Sequence, residues 1–255
     1  MFRALLDRRL KGECIAYILE KKEFRGLEFT VNHSVLVPRP DTEILVETAI
    51  DVISEQKAKK NDANNASALR NAATMHDASA LHNALALRVL DLCTGSGAVA
   101  ISLKHEMPEL EVYATDISHE ALETAKANAA RLLPNSNIRF YSGDLYNALS
   151  AEQFNFHCIV SNPPYIPSAE ITTLPKEVQK EPHLALDGGQ DGLQLIKRII
   201  EGSANYLCSG GSLLMEADPR QMGTISSWLE EYGFCKIKTY KDISGNERVI
   251  GGIYE

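Results

Sequence analysis

The sequence is poor in the features that would tie it to a membrane, a structural metal or an oxidising compartment. No uninterrupted apolar run approaches the ~20 residues of a bilayer-spanning helix, and Met1-Phe2-Arg3-Ala4-Leu5-Leu6-Asp7-Arg8-Arg9 has no apolar signal core. The five cysteines, Cys14, Cys93, Cys158, Cys208 and Cys235, stand singly. With no Cys-x-x-Cys pair and no histidine at ligand spacing, neither a metal site nor a disulfide framework is expected, and the usage fits a reducing cytoplasm. Basic residues are also few: 26 Lys and Arg against 34 Asp and Glu leave a formal net charge of −8. That balance opposes a surface that grips long nucleic acid through its phosphates. Stable nucleic-acid or membrane partners are therefore not expected, and a protein or small-molecule substrate is. The chain is 44% hydrophobic over 255 residues, enough for one large α/β core with a small appendage.

Periodicity gives the order of elements. Residues 3–20 place Leu5, Leu6, Leu10, Ile15, Tyr17, Ile18 and Leu19 among Arg and Glu, compatible with one short helix or two broken at Gly12. Phe24, Leu27, Phe29 and Val31 read as a hairpin leading to Val35-Leu36-Val37. Pro38-Arg39-Pro40-Asp41-Thr42-Glu43 is a stop followed by a helix start, with Asp41 or Thr42 as the cap. Arg39, on this proline-flanked loop, either supports the turn or faces a ligand. From about Ser54 to Leu87 the composition shifts to Ala, Asn and His, a low-complexity insert that predicts a frayed surface helix with no core of its own. Its His76 and His82 read as solvated side chains.

The chemistry lies at a series of strand ends. Arg88 to Leu92 reads as a strand, Cys93-Thr94-Gly95-Ser96-Gly97 as a glycine turn, and Ala98-Val99-Ala100 as the start of a helix. Gly95 and Gly97 let a ligand approach the backbone and leave N–H groups free. Alone, Gly95-x-Gly97-x-x-Ala100 also fits a dinucleotide fingerprint with an acid ~20 residues on, so a nicotinamide enzyme must be weighed. That acid is Asp116, which ends Val112-Tyr113-Ala114-Thr115 and can accept both hydroxyls of a ribose, cap the following helix, or do both. Ile138 to Tyr141 then runs into Gly143-Asp144-Leu145, where Asp144 can accept from an adenine amine while Leu145 packs on its ring. In an open parallel sheet, ligands bind at this carboxyl edge.

A fourth strand, about Phe156 to Ser161, delivers Asn162-Pro163-Pro164-Tyr165 to the same edge. Two prolines fix φ and lack N–H groups, so nearby carbonyls are free to accept from a ligand. The Asn162 oxygen and the Pro163 carbonyl suit the two hydrogens of a planar –NH2, with the Tyr165 ring on its face. A ~25-residue loop follows, long enough beside a site to be a lid or a substrate surface. Next come a helix from Leu193 to Leu207, a strand over Ser212 to Met215, a helix from Gln221 to Tyr232, and strands over Cys235 to Tyr240 and Arg248 to Ile253. The connection between the last two is too short for a crossover, so they pair antiparallel. A two-fold dinucleotide-binding plan does not end this way, and it leaves the Asn-Pro-Pro-Tyr corner unexplained.

In this order, Pro-Arg-Pro-Asp-Thr-Glu, Asp-Leu-Cys-Thr-Gly-Ser-Gly, Asp116-Ile117-Ser118, Ser-Asn-Pro-Pro-Tyr-Ile, Glu181-Pro182 with Ala185-Leu186-Asp187-Gly188-Gly189, and Asp191-Gly192-Leu193 resemble the peptide chain release factor N5-glutamine methyltransferases. The resemblance covers about residues 8–55 and 88–255. It implies an α/β fold of the class I methyltransferases, a Rossmann-like seven-stranded sheet with the last strand antiparallel, and S-adenosyl-L-methionine as cofactor. It further implies that Cys93, Thr94, Gly95, Ser96 and Gly97 wrap the methionine end, that Asp116 holds the ribose, and that Asp144 and Leu145 flank the adenine. Asn162 would touch cofactor and substrate, and Asn162, Pro163, Pro164 and Tyr165 would hold the substrate glutamine, with Asn162, Pro163 and Tyr165 at the reaction. The implied partner is a release factor acted on by a monomer. The expected division is a remnant helix and hairpin over 1–40 and the methyltransferase domain over 41–255, interrupted by the 54–87 insert.

Three departures from the family accompany it. A glycine is usual where Cys93 stands, Glu216-Ala217-Asp218-Pro219-Arg220-Gln221 replaces a glycine-containing variant, and only about 20 residues precede the hairpin where the family has a helical domain of ~70. Gly188-Gly189-Gln190 mimics the release factor's own Gly-Gly-Gln but reads as lid composition. Three alternatives stand beside the main reading: N6-adenine methylation of nucleic acid, glutamine methylation of a ribosomal protein, and a non-catalytic adapter.

Overall fold

The computed structural model describes residues 2–68, 86–149 and 154–255, the side chains of 61–68 excepted. Its centre is a seven-stranded sheet of β3 (Arg88–Leu92), β4 (Glu111–Asp116), β5 (Ile138–Ser142), β6 (Phe156–Ser161), β7 (Leu207–Glu216), β8 (Phe234–Lys241) and β9 (Glu247–Tyr254), in the order β5-β4-β3-β6-β7-β9-β8. Neighbours from β5 to β7 are parallel, and only β9 runs against its neighbours β7 and β8. The antiparallel ending expected from the short Ser244-Gly245-Asn246 connection is present.

Strands buried on both faces are mostly apolar at successive positions, which is why Val89-Leu90, Cys158-Ile159-Val160 and Leu213-Leu214-Met215 read as runs and not as alternations. Successive residues divide between two cores. Val89, Val160 and Leu214 face one with Leu45, Ile101 and Leu103, from α3 (Glu43–Ala68) and α4 (Ala98–Glu106). Leu90, Ile159 and Leu213 face the other with Ile196, Ile199, Ile225 and Leu229, from α6 (Gln194–Ser203) and α7 (Met222–Glu231). The intervening α5 spans His119–Leu132.

The N-terminal part is stitched to this domain. Helices α1 (Phe2–Leu10) and α2 (Ile15–Leu19) precede the hairpin of β1 (Lys21–Phe24) and β2 (Leu27–Thr30), whose Phe24 and Phe29 rings meet edge to face 6.1 Å apart inside the first core. Asn128 of α5, wholly buried, accepts from Thr30 N–H at 2.8 Å and donates to Thr30 O and Ser96 O at 3.0 Å each. One amide thus couples the hairpin to the glycine turn.

Two local features stand out. Val35-Leu36-Val37, to which the hairpin leads, is not a strand: the Val37 N–H donates to the Glu181 carboxylate at 3.0 Å and the prolines that follow offer no donor. The segment from Ser54 also begins as ordered helix: α3 continues to Ala68, and Gln56 Nε2 donates to His157 O, Gly210 O and Ser212 Oγ at 3.0 to 3.2 Å. Residues 69–85, with His76 and His82, lie outside the described residues.

Asn128→Ala leaves the Thr30 N–H, the Thr30 carbonyl and the Ser96 carbonyl without their partner at once. The expected loss is about 3 kcal/mol of unfolding free energy, seen as a lower denaturant midpoint at unchanged slope.

Candidate active site

The ends of β3, β4, β5 and β6 open on one edge of the sheet, around a cavity of about 420 Å³. Its wall includes Thr94, Gly95, Asp116, Asp144, Asn162 and Thr42, and the far side is closed by Pro182, Leu184, Gly188 and Gly189 of the long loop.

The glycine turn is held by a residue that sequence reading passed over. Asp91, inside β3 and 1% exposed, accepts the Thr94 hydroxyl at 2.6 Å and the Ala100 N–H at 3.1 Å, tying both ends of the turn to the strand. Burial pushes its carboxyl up to about 7, against those two hydrogen bonds. The signal was an aspartate within Val89-Leu90-Asp91-Leu92, where only a bonded acid is tolerated. Cys93 follows at φ 60°, in the left-handed region where the family's usual glycine is unstrained. Its thiol is raised by burial and by nearby Asp116, and stays protonated.

Asp116 Oδ2 accepts the Gly95 N–H and Oδ1 the Ser118 N–H, each at 2.9 Å. It does not cap α5: Ser118 does, its Oγ accepting from Ala121 N at 3.1 Å. Asp116 is thereby fixed at the cavity wall with lone pairs to spare, and burial raises its pKa. Asp144 and Leu145 also line the cavity, and Asp144 Oδ2 is paired with Arg198 of α6 at 2.6 Å. Arg198 went unnoticed because nothing in Gln194–Ser203 marks one basic residue above another.

At the Asn-Pro-Pro-Tyr corner, Asn162 and Pro164 line the cavity, and the Pro163 and Tyr165 side chains are not part of its lining. Asn162 Nδ2 donates to Thr42 Oγ1 at 3.0 Å. Tyr165 turns its hydroxyl to Glu216 Oε1 at 3.2 Å, and its carbonyl accepts Gln221 Nε2 at 3.0 Å. Burial drives the Tyr165 hydroxyl far above its usual range, and lifts Glu216 to about 7. Arg39 lines the cavity and is ion-paired with the buried Glu181. No cluster of metal-ligating side chains occurs among the described residues.

A family model described as the methyltransferase small domain matches residues 71–180. A solved methyltransferase structure from Pyrococcus furiosus superposes with a TM-score of 0.59 at 19% identity, over 99% of this chain and 98% of its own, which establishes the fold. Fold and comparison together define a class I, S-adenosylmethionine-dependent methyltransferase. Two curated relatives named release factor glutamine methyltransferase narrow it. The one from Bradyrhizobium diazoefficiens is 40% identical over 246 residues, covering 96% of this chain and 73% of its own. The one from Geobacter sulfurreducens is 37% identical over 251 residues, 98% of this chain and 76% of its own. The chain belongs to the release factor glutamine methyltransferase family.

The residues present fit that cofactor. A Cβ on Gly95 would meet no atom within 4 Å, so the glycine turn opens on free space at the cavity wall. Beside it Asp116 offers acceptors suited to a ribose diol.

Two outcomes follow. Asp116→Ala is expected to weaken S-adenosylmethionine binding by about 10- to 100-fold in calorimetry. Asp91→Asn should abolish a pH dependence of stability. The folded pKa of about 7 lies above the ordinary 3.8, so wild-type stability is fully present below about 4 and is lost as pH rises towards 7. Over that window the variant should gain on wild type by ~1.4 kcal/mol per pH unit in urea titrations.

Proposed function

We propose that this chain transfers a methyl group from S-adenosylmethionine to the side-chain amide nitrogen of the glutamine in the Gly-Gly-Gln motif of a peptide chain release factor. The observation that carries the reading is the corner itself. Asn162 Oδ1 and the Pro163 carbonyl receive no hydrogen bond from any described residue, while the Asn162 Nδ2 and the Tyr165 hydroxyl and carbonyl are all engaged. Two free acceptors at a rigid turn match the two hydrogens of a primary amide.

The cofactor, when bound, supplies a methyl group already activated on a sulfonium. What remains for the protein is alignment of a poor nucleophile and exclusion of water. Asn162 and Pro163 would hold both N–H bonds of the substrate amide and so aim its nitrogen lone pair into the cavity. Pro164 walls the entry, and the loop residues Pro182, Leu184 and Gly188 cover it. No strong general base is required, because the proton can leave after the methyl arrives. Tyr165 would support the corner from behind instead of stacking on the amide. Residues 41–255 would form the catalytic domain, and the segment before them would carry part of the substrate surface.

The test is methyl transfer from labelled S-adenosylmethionine to a purified release factor, mapped by peptide mass spectrometry. Asn162→Ala should lower kcat by about 10²- to 10³-fold with cofactor binding intact. Methylation at any residue other than the Gly-Gly-Gln glutamine, or none with cofactor bound, would falsify the reading.

A further inference from the structure

Thr42 belongs to the turn Pro40–Thr42 that opens α3, is 3% exposed, and lines the cavity beside Asn162. Its hydroxyl is the group that takes Asn162 Nδ2, although 120 positions separate the two. Behind it, at the end of β7, sits Glu216, 1% exposed. One Glu216 oxygen accepts from Tyr165. The other, Oε2, is buried without a hydrogen-bond partner, and the Thr42 side chain lies beside this carboxylate.

With Glu216 ionised, the polarity of this chain of groups has only one satisfied solution. A hydroxyl has one proton, and a carboxylate only accepts. If the Thr42 proton goes to Glu216, the Thr42 oxygen can only accept, so the –NH2 end of Asn162 must face it. The flipped amide would set two oxygens against each other at Thr42 or strip the proton from Glu216, leaving a buried acceptor bare. The geometry points to Thr42 and Glu216 as positioning residues that lock the Asn162 amide with Oδ1 toward the cavity. The corner then presents acceptors and no donor, which admits a primary amide and rejects a carboxylate in its place. Glutamine is thereby distinguished from glutamate. This inference rests on the glutamine reading only for what the substrate is; the locked amide is a property of the protein alone.

The experiment therefore has one arm without substrate. At pH 8.5, above the value of about 7 to which Glu216 is raised, the Asn162 side-chain ¹H–¹⁵N pair is identified by its loss in Asn162→Ala. It should move in Thr42→Val and in Glu216→Gln and return near its original position in Thr42→Ser. With a release factor, Thr42→Val should lower kcat about tenfold at nearly unchanged KM, Thr42→Ser should retain most of the rate, and Thr42→Val should add nothing to Asn162→Ala. A pair that does not move in Thr42→Val overturns the assignment, as does a loss confined to KM or one that persists in full on Asn162→Ala. A shifted pair in a protein that methylates no release factor would support the positioning and count against the substrate.

Discussion

The cavity depends on a carboxylate placed inside a strand. Asp91 grips the Thr94 hydroxyl and the Ala100 N–H, and so sets where β3 stops, how the glycine turn bends and where α4 begins. Removing a charge from water is costly, and here two hydrogen bonds and a partial return to the neutral acid offset that cost. Everything at the edge is then referred to this turn. Gly95 N–H fixes Asp116, Gly143 N–H fastens the third strand end to the Asp116 carbonyl at 3.0 Å, and Ser161 Oγ fastens the fourth to the Leu92 carbonyl at 2.9 Å.

The long loop is held by the same logic of close backbone contact. Gln221 Nε2 reaches the Tyr165 carbonyl, and Gly192, at φ 75°, passes so near that carbonyl that any Cβ would be driven into it. Ile166 and Asp187 form a parallel bridge, so the loop leaves the corner and returns beside it. Its Gly188-Gly189 pair faces the cavity while Gln190 is exposed.

Much of this was legible in the sequence because parallel strands write their signal locally. Apolar runs that end in glycine, acid or Asn-Pro-Pro state both the strand and what it delivers, and Gly95, Asp116, Asp144 and Asn162 do meet at one edge. What was illegible involves partners chosen by the tertiary fold. Glu181 bonding Val37 N–H across 144 positions, Arg198 pairing with Asp144, and Thr42 meeting Asn162 leave no periodic trace. The Val35 to Val37 stretch shows it: its β-branched residues would fit a sheet, but its backbone donor goes to a carboxylate. The same cause moved Tyr165, whose hydroxyl needed a buried partner and found Glu216.

These long-range contacts change what the N-terminal segment is for. Ser34, Val35, Leu36, Pro38 and Arg39 line the same cavity as the glycine turn, and Tyr17 steadies them by donating to the Val35 carbonyl at 2.5 Å. Residues on both sides of position 40 therefore contribute to the wall of the site. The segment cannot be moved without moving Thr42, and Thr42 cannot be moved without releasing the amide of Asn162. Since an amide turned by 180° exchanges an acceptor for a donor, a small displacement here acts on chemistry more sharply than on affinity. The N-terminal segment and the Asn162 corner thus share one cavity wall and are joined through the Thr42 hydroxyl.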